Sequence, residues 1–96
     1  QLRQQVFHEV KTAYLNLIAS FKRIETIQDS VKQARENKRI NALRYKEQVA
    51  TSTDVIDAQT LLLRTEVNLT VARIDYLKAL AGLEKAIGQS LTEDLL

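Results

Sequence analysis

The sequence predicts a reversal of the chain within residues 45–54, which read Tyr45-Lys-Glu-Gln-Val-Ala-Thr51-Ser-Thr-Asp54. A run of hydroxyl residues that ends in Asp is typical of a helix N-cap, because side-chain oxygens accept hydrogen bonds from the first free N–H groups of a helix. Thr51 and Asp54 have the spacing of a capping box, with Asp in the place usually taken by Glu or Gln. We therefore predict a turn at residues 49–51 and a second helix that begins at residue 52.

Both flanks of this turn carry the three-and-four spacing of a coiled-coil seam. Before the turn, a mostly large row and a mostly small row alternate: Val10, Leu17, Ile24, Val31, Lys38 and Tyr45, then Ala13, Ser20, Ile27, Ala34 and Asn41. After the turn the alternation returns in Val55, Leu62, Leu69, Tyr76 and Leu83, then Ala58, Thr65, Ala72, Ala79 and Ala86. If the chain reverses near residue 50, two residues that face each other across the hairpin have numbers that sum to about 100. This arrangement pairs the large rows with each other and the small rows with each other.

The predicted fold is therefore all-α, a long antiparallel two-helix coiled-coil hairpin that forms a single domain. We place helix one at residues 2–48, the turn at residues 49–51, helix two at residues 52–88 and a C-terminal tail at residues 89–96. The end at Gly88 is predicted because Gly tolerates the left-handed backbone angles that often close a helix. The composition agrees, since the chain has no Pro and is rich in residues that favour helices.

Composition also excludes several classes of function. The chain has no Cys, which excludes disulfides and thiolate chemistry. The net charge is only +2, with Lys and Arg interleaved with acids, so nucleic-acid binding is not supported. No apolar run approaches the ~18 residues of a spanning helix, so we expect no membrane insertion by this chain. It opens directly into helical pattern without an initiator Met, and we expect it to be part of a longer protein.

No catalytic or metal-binding constellation is evident. His8 is the only histidine, and no Cys or second His lies at metal-ligand spacing from it. The serines lack a neighbouring base, and there is no Gly-rich phosphate loop. We therefore expect neither enzymatic activity nor a cofactor.

A second apolar row on helix two lies away from the predicted seam. It consists of Ile56, Leu63, Val67, Ile74, Leu77 and Ala81, and helix one carries a smaller patch of Phe7, Tyr14, Ile18 and Phe21. One partner helix cannot cover two faces, and a helix that is apolar on two sides is usually packed between neighbours. We expect further helices to pack on the hairpin, and the isolated chain to self-associate.

Residues 45–59 resemble the tip pattern of the TolC-like outer-membrane efflux protein family. That pattern is Tyr, a Gly three residues on, Thr or Ser three further, and then Asp-Val-Leu-Asp-Ala-Gln, for which this chain has Asp54-Val-Ile-Asp57-Ala-Gln59. Ala13-Tyr-Leu-Asn-Leu17 is similar to the family's helix before the tip. Residues 72–77, with the sequence Ala-Arg-Ile-Asp-Tyr-Leu, through 86–88 are similar to the helix after it. The resemblance covers nearly the whole chain, and the tip is its most specific part.

The resemblance implies a homotrimeric channel with a β-barrel in the outer membrane and a long α-helical barrel across the periplasm. This chain would be one hairpin of the α-helical barrel, in the periplasmic portion of an outer-membrane protein. The channel would export small molecules or proteins together with an inner-membrane transporter and a periplasmic adaptor.

The resemblance also implies roles for residues near the turn. Asp54 and Asp57 match acidic residues at the family's periplasmic aperture, where a ring of carboxylates would favour cations. Both residues also suit the dipole at the start of helix two, and the two interpretations are compatible. Tyr45 would belong to a polar gating network, or would be a seam aromatic with a solvated hydroxyl.

The tip itself would dock the adaptor through Gln48, Val49, Ala50, Thr51 and Ser52. Gln48 stands where the family usually has Gly. A Gln there would extend helix one by a turn and move the bend to Val49 and Ala50. The alternative function is a coiled-coil interaction hairpin, an adaptor or scaffold module without a pore role. An adaptor hairpin should present Arg and Leu at its tip, whereas this tip is Thr, Ser and Asp.

Overall fold

The computed structural model describes the backbone of residues 2–95 and the side chains of residues 3–89, 91 and 92. Helix α1 spans Leu2–Lys46 and helix α2 spans Ser52–Leu95, with the connection at residues 47–51. No β-strand occurs within residues 2–95. The predicted all-α two-helix class is confirmed.

The chain forms two compact units, and each contains a segment of both helices. The terminal unit consists of residues 1–23 and 72–96, and the turn unit consists of residues 24–71. Within each unit the α1 and α2 segments pack antiparallel along the predicted seam. The turn unit also contains the connection between the helices.

The core of each unit is built from small side chains. The buried residues are Val31, Ala34 and Ala58 in the turn unit, and Val6, Ala72 and Ala86 in the terminal unit. All other predicted seam residues are half-buried except Lys38 and Tyr45, which are exposed. No large side chain among the described residues is fully buried. Alanine and valine at the contact let the two helix backbones approach closely, but they bury little apolar area.

Exposed contacts between the helices show the register of each unit. In the turn unit, Arg35 Nη2 lies 3.9 Å from Glu66 Oε1. In the terminal unit, Arg23 Nη1 lies 3.9 Å from Asp75 Oδ2. Solvent-exposed ion pairs of this length contribute about 0–1 kcal/mol. These pairs therefore report the register and do little to stabilise it, which leaves the apolar contacts along the whole seam, large and small residues together, as the main source of stability.

The ends of both helices differ from the sequence prediction. Helix α1 ends at Lys46, whereas the prediction placed its end at residue 48. Helix α2 continues through Gly88 to Leu95, so residues predicted as a tail are helical up to residue 95. Gly88 does not have a positive φ, and its carbonyl accepts a hydrogen bond from Thr92 Oγ1 at 2.9 Å. A helical Gly costs only about 0.5–1 kcal/mol relative to Ala, and no Pro follows it to stop the helix.

Replacing Gly88 by Ala is expected to stabilise the chain by about 0.5–1 kcal/mol. A Cβ added at Gly88 meets no atom within 4 Å, so the substitution gains helix propensity without a clash. Urea unfolding followed by circular dichroism, at concentrations low enough to keep the chain monomeric, measures the change. A loss of stability would contradict the helical assignment of this position.

Candidate functional site

Helix α1 ends in a Schellman motif, with Gln48 in the left-handed conformation at φ 64°. In this motif the N–H of the left-handed residue donates to the carbonyl three residues before it. The N–H of the following residue donates to the carbonyl five residues before that following residue. The Gln48 N–H donates to the Tyr45 carbonyl at 3.0 Å, and the Val49 N–H donates to the Arg44 carbonyl at 2.8 Å. The Ala50 N–H also reaches the Arg44 carbonyl, at 3.2 Å. The carbonyls of Arg44 and Tyr45, in the last turn of α1, are thus satisfied inside the connection.

The expectation that Gln48 extends helix one is therefore wrong. Gln48 closes the helix, in the conformation that Gly adopts most easily. A left-handed backbone costs an L-residue roughly 1–2 kcal/mol, because Cβ approaches the following carbonyl oxygen. The two Schellman hydrogen bonds offset this cost and hold the bend in place.

Helix α2 begins with the predicted capping box. The Asp54 N–H donates to Thr51 Oγ1 at 3.2 Å, and the Thr51 N–H donates to Asp54 Oδ2 at 3.0 Å. The Thr51 carbonyl accepts the first helical hydrogen bond from the Val55 N–H at 3.3 Å. Thr51 is therefore the N-cap, and the shorter Asp side chain completes the reciprocal pair usually made with Glu.

These contacts lower the pKa of Asp54 below its ordinary value of 3.8. The largest cause is the hydrogen bond from the Thr51 backbone N–H, followed by the bond with the Thr51 side chain and the positive charge of Arg44. A hydrogen bond donated to a carboxylate favours its charged form. The effect of Arg44 on this carboxylate was not predicted from the sequence. The feature that could have indicated it is the position of Arg44, a basic residue in the last turn of α1.

Acid is expected to weaken the fold through Asp54. Because its pKa is lower in the folded chain than in the unfolded chain, its contribution is fully present above the unfolded pKa and is lost as pH falls through the folded pKa. Melting temperatures measured from pH 6 down to pH 2 should fall more steeply for the native chain than for Asp54→Asn. The carboxylate of Glu36, whose pKa is lowered by its hydrogen bond with Arg39, remains in both chains and contributes equally to both slopes. Parallel slopes in the two chains would show that the capping carboxylate does not contribute.

Asp57 lies one turn after Asp54 and is exposed. Its carboxylate accepts no hydrogen bond from the described residues, whereas one oxygen of Asp54 is taken by the cap. Asp57 is thus the carboxylate at this end of α2 that is free to face a ligand or another copy of the chain. The role of both residues at an aperture stays a prediction.

Tyr45 is about half exposed, at 52%, although it occupies a seam position. Its backbone carbonyl closes the Schellman motif, and no described residue hydrogen-bonds to its hydroxyl. Of the predicted docking residues, Ala50 is half-buried, and Gln48, Val49, Thr51 and Ser52 are exposed. Val49 presents an apolar side chain that is 63% exposed. The gating and docking roles of these residues stay predictions.

The second apolar row on α2 is uncovered in both units. In the turn unit, Ile56, Leu63 and Val67 are 59%, 62% and 52% exposed. In the terminal unit, Ile74 and Leu77 are 47% and 60% exposed. The expectation that one partner helix cannot cover both faces of α2 is confirmed. Neither helix has a stretch, within the described residues, that is long and apolar enough to cross a membrane.

A family model described as "outer membrane efflux protein" matches residues 1–89, a range that includes all of α1, the turn and most of α2. No curated protein and no solved structure matches the chain.

Proposed function

Because this chain belongs to the outer membrane efflux protein family, we propose that it forms a periplasmic tunnel-wall and aperture segment of a TolC-like outer-membrane efflux channel. The channel would be a homotrimer that exports small molecules or proteins together with a periplasmic adaptor and an inner-membrane transporter. The hairpin would lie in the periplasmic portion of that assembly and would have no catalytic role.

The observation that carries this proposal is the uncovered apolar row on α2. Ile56, Leu63 and Val67 of the turn unit lie away from the seam and remain more than half exposed. Full burial of such a side chain is worth about 1.5–3 kcal/mol, so neighbouring helices on this face would contribute stability that the lone hairpin lacks. A wall helix in a tunnel has neighbours on more than one side, which accounts for apolar residues on two faces.

Asp57 is the residue best placed to act at the aperture. Its carboxylate is exposed and free of hydrogen bonds from the described residues, and it follows directly after the capped start of α2. In a homotrimer, three such carboxylates near the axis would attract cations and repel anions at the narrowest part of the pore. Asp54 would add its charge to this ring while its Oδ2 atom holds the cap.

Replacing Asp57 by Asn in the assembled channel is expected to weaken block by divalent cations and to reduce cation selectivity. The change removes charge while it keeps the size and polarity of the side chain. Single-channel conductance in planar bilayers, with and without a divalent cation, measures both properties. Asp29→Asn is the matched control, because Asp29 is an exposed acid on α1 remote in sequence from the turn. Conductance and block that are the same in the Asp57 variant and the native channel would rule out the aperture role.

The exposed tip would form the contact with the adaptor. Gln48, Val49, Thr51 and Ser52 are exposed around a turn whose backbone is fixed by hydrogen bonds at both ends. A rigid surface loses little conformational entropy when it binds. Val49, 63% exposed, would supply an apolar contact, and the hydroxyl residues would supply hydrogen bonds.

A further inference from the structure

Arg44 and Asp54 lie at the two helix ends that the connection joins, on the same side of the seam. Arg44 is in the last turn of α1 and directly precedes the seam residue Tyr45. Asp54 is in the first turn of α2 and directly precedes the seam residue Val55. In an antiparallel pair of helices, residues that precede facing seam positions flank the same side of the contact and lie across from each other. Both side chains are exposed.

An ion pair in the terminal unit shows that residues in these positions approach each other. Arg23 and Asp75 also precede large seam residues of their helices, and Arg23 Nη1 lies 3.9 Å from Asp75 Oδ2. Arg44 and Asp54 have the corresponding positions in the turn unit, and the structure describes both, but they do not form such an ion pair. The Arg44 guanidinium therefore acts on Asp54 as a nearby charge and not as a bonded partner.

The backbone of the connection fixes the separation of these two residues. The Arg44 carbonyl accepts hydrogen bonds from the Val49 N–H at 2.8 Å and from the Ala50 N–H at 3.2 Å. The next residue, Thr51, donates its N–H to Asp54 Oδ2 at 3.0 Å. Two successive residues of the connection are thus bonded to Arg44 on one side and to Asp54 on the other. The two charges stay close for as long as the connection keeps its hydrogen bonds.

The positive charge of Arg44 reaches the Asp54 carboxylate. The pKa of Asp54 is lowered mainly by its two hydrogen bonds with Thr51 and to a smaller extent by the charge of Arg44. Lys46 and Glu47, the charged residues that follow Arg44, are not among these causes. A charge that favours the carboxylate opposes a cation at the same place, because the guanidinium repels any second positive charge.

Asp54 and Asp57 can share a divalent cation only within reach of this guanidinium. The two residues are three apart in a helix, so their side chains are neighbours on its surface. Asp54 has one oxygen left for a cation, because its Oδ2 atom accepts the Thr51 N–H. Hard divalent cations bind such carboxylate oxygens. Arg64 is seven residues after Asp57, about 10.5 Å along the helix, where salt screens its charge.

We propose that Arg44 is a built-in counter-ion of the two carboxylates at the start of α2 and keeps their affinity for divalent cations low. The proposal rests on the proposed aperture function. Each copy brings Asp54 and Asp57 to this end of α2, together with one guanidinium that offsets part of their charge. A site in a pore must attract ions strongly enough to admit them and weakly enough to release them. Asp57 supplies the attraction, and Arg44 limits it.

Titration of the 96-residue chain with Mn²⁺ measures this effect directly. Bound Mn²⁺ broadens the NMR signals of nearby nuclei, so the Mn²⁺ concentration that halves the Cβ–H signals of Asp54 and Asp57 reports the affinity of this end of α2. In Arg44→Gln that concentration should fall about threefold or more at low salt. The signal of Asp29, an exposed acid on α1, is the reference for nonspecific attraction of cations to a less positive chain.

Lys46→Gln is the matched control. It removes the same charge from the same turn of α1, two residues later and therefore roughly 200° around the helix from Arg44. Its Mn²⁺ affinity should stay within about 1.5-fold of the native value. Arg44→Lys should also remain near the native value, because it keeps the charge. The effect of Arg44→Gln should disappear in about 1 M salt, where charges are screened beyond ~3 Å, whereas a purely structural effect would persist.

Three outcomes of this titration would overturn the proposal. Equal shifts in Arg44→Gln and Lys46→Gln would mean that Arg44 counts only toward the total charge. An Arg44→Lys chain that binds Mn²⁺ like Arg44→Gln would show that the charge is not the cause. A shift that persists in about 1 M salt would lead to the same conclusion.

The assembled channel separates this proposal from the aperture function on which it rests. Arg44→Gln should strengthen block by divalent cations several-fold, whereas Asp57→Asn should weaken it. Block that is weaker in Asp57→Asn but native in Arg44→Gln would keep the aperture and overturn the role of Arg44. Native block in Asp57→Asn would overturn the aperture function, and the Mn²⁺ titration would still decide whether Arg44 limits cation binding to the two carboxylates.

Discussion

Replacing Ala72 by Leu is expected to lower the free energy of unfolding by about 1–3 kcal/mol. Ala72 is only 2% exposed and occupies a small position of the seam in the terminal unit. Three additional carbon atoms at this position must separate the helices or force side chains into strained rotamers, although Leu is an excellent helix former. Urea unfolding at low chain concentration, followed by circular dichroism, measures the loss.

The matched control is Ala81→Leu on the same helix. Ala81 is exposed on the second apolar row of α2, so the same substitution adds the same atoms where there is space for them. Its effect on the free energy of unfolding should lie within about 0.5 kcal/mol of zero. Equal losses in the two variants would mean that the close approach of the helices at Ala72 does not limit side-chain size.

Replacing Gln48 by Gly is expected to raise the free energy of unfolding by about 1 kcal/mol. Gln48 has φ 64°, and relief of the left-handed conformation is worth roughly 1–2 kcal/mol. Part of this gain is lost because Gly increases the entropy of the unfolded chain. The Schellman hydrogen bonds involve only backbone groups and should survive the change.

Gln48→Ala separates the backbone effect from the loss of the Gln side chain. Ala keeps the Cβ that causes the strain, so its stability should match that of the native chain, with only Gly giving the increase. Chemical denaturation of the three chains in parallel provides the comparison. A Gly variant no more stable than the Ala variant would contradict the left-handed assignment of residue 48.

The seam could be predicted because its signal repeats many times along the chain. The row that contains Val31 and the row that contains Ala72 each recur every seven residues, and one turn position satisfies both helices. The capping box was equally readable, since Thr51 and Asp54 have side chains whose chemistry suits the first turn of a helix. Both predictions rest on residue types whose preference agrees with their position.

The two predicted helix ends were wrong because Gln48 and Gly88 each adopt a conformation that their residue type does not favour. Gln48 favours helix interiors, and nothing in its side chain indicates a positive φ; the geometry of the turn imposes that conformation. Gly88 favours helix ends, but it lies within α2 because the residues after it are compatible with a helix. The role of Asp57 could not be predicted from residue preferences at all, because it depends on the distance between carboxylates of different copies.

The hydrogen-bonded connection at residues 47–51 has a consequence for how the helices align. A contact that repeats every seven residues offers several alternative alignments of similar energy, each displaced from the next by a whole heptad. A connection closed at both ends by backbone hydrogen bonds cannot lengthen to reach the displaced alignments. The turn therefore fixes one alignment of the helices it joins. The repeating contacts of the seam alone would not distinguish this alignment from the displaced ones.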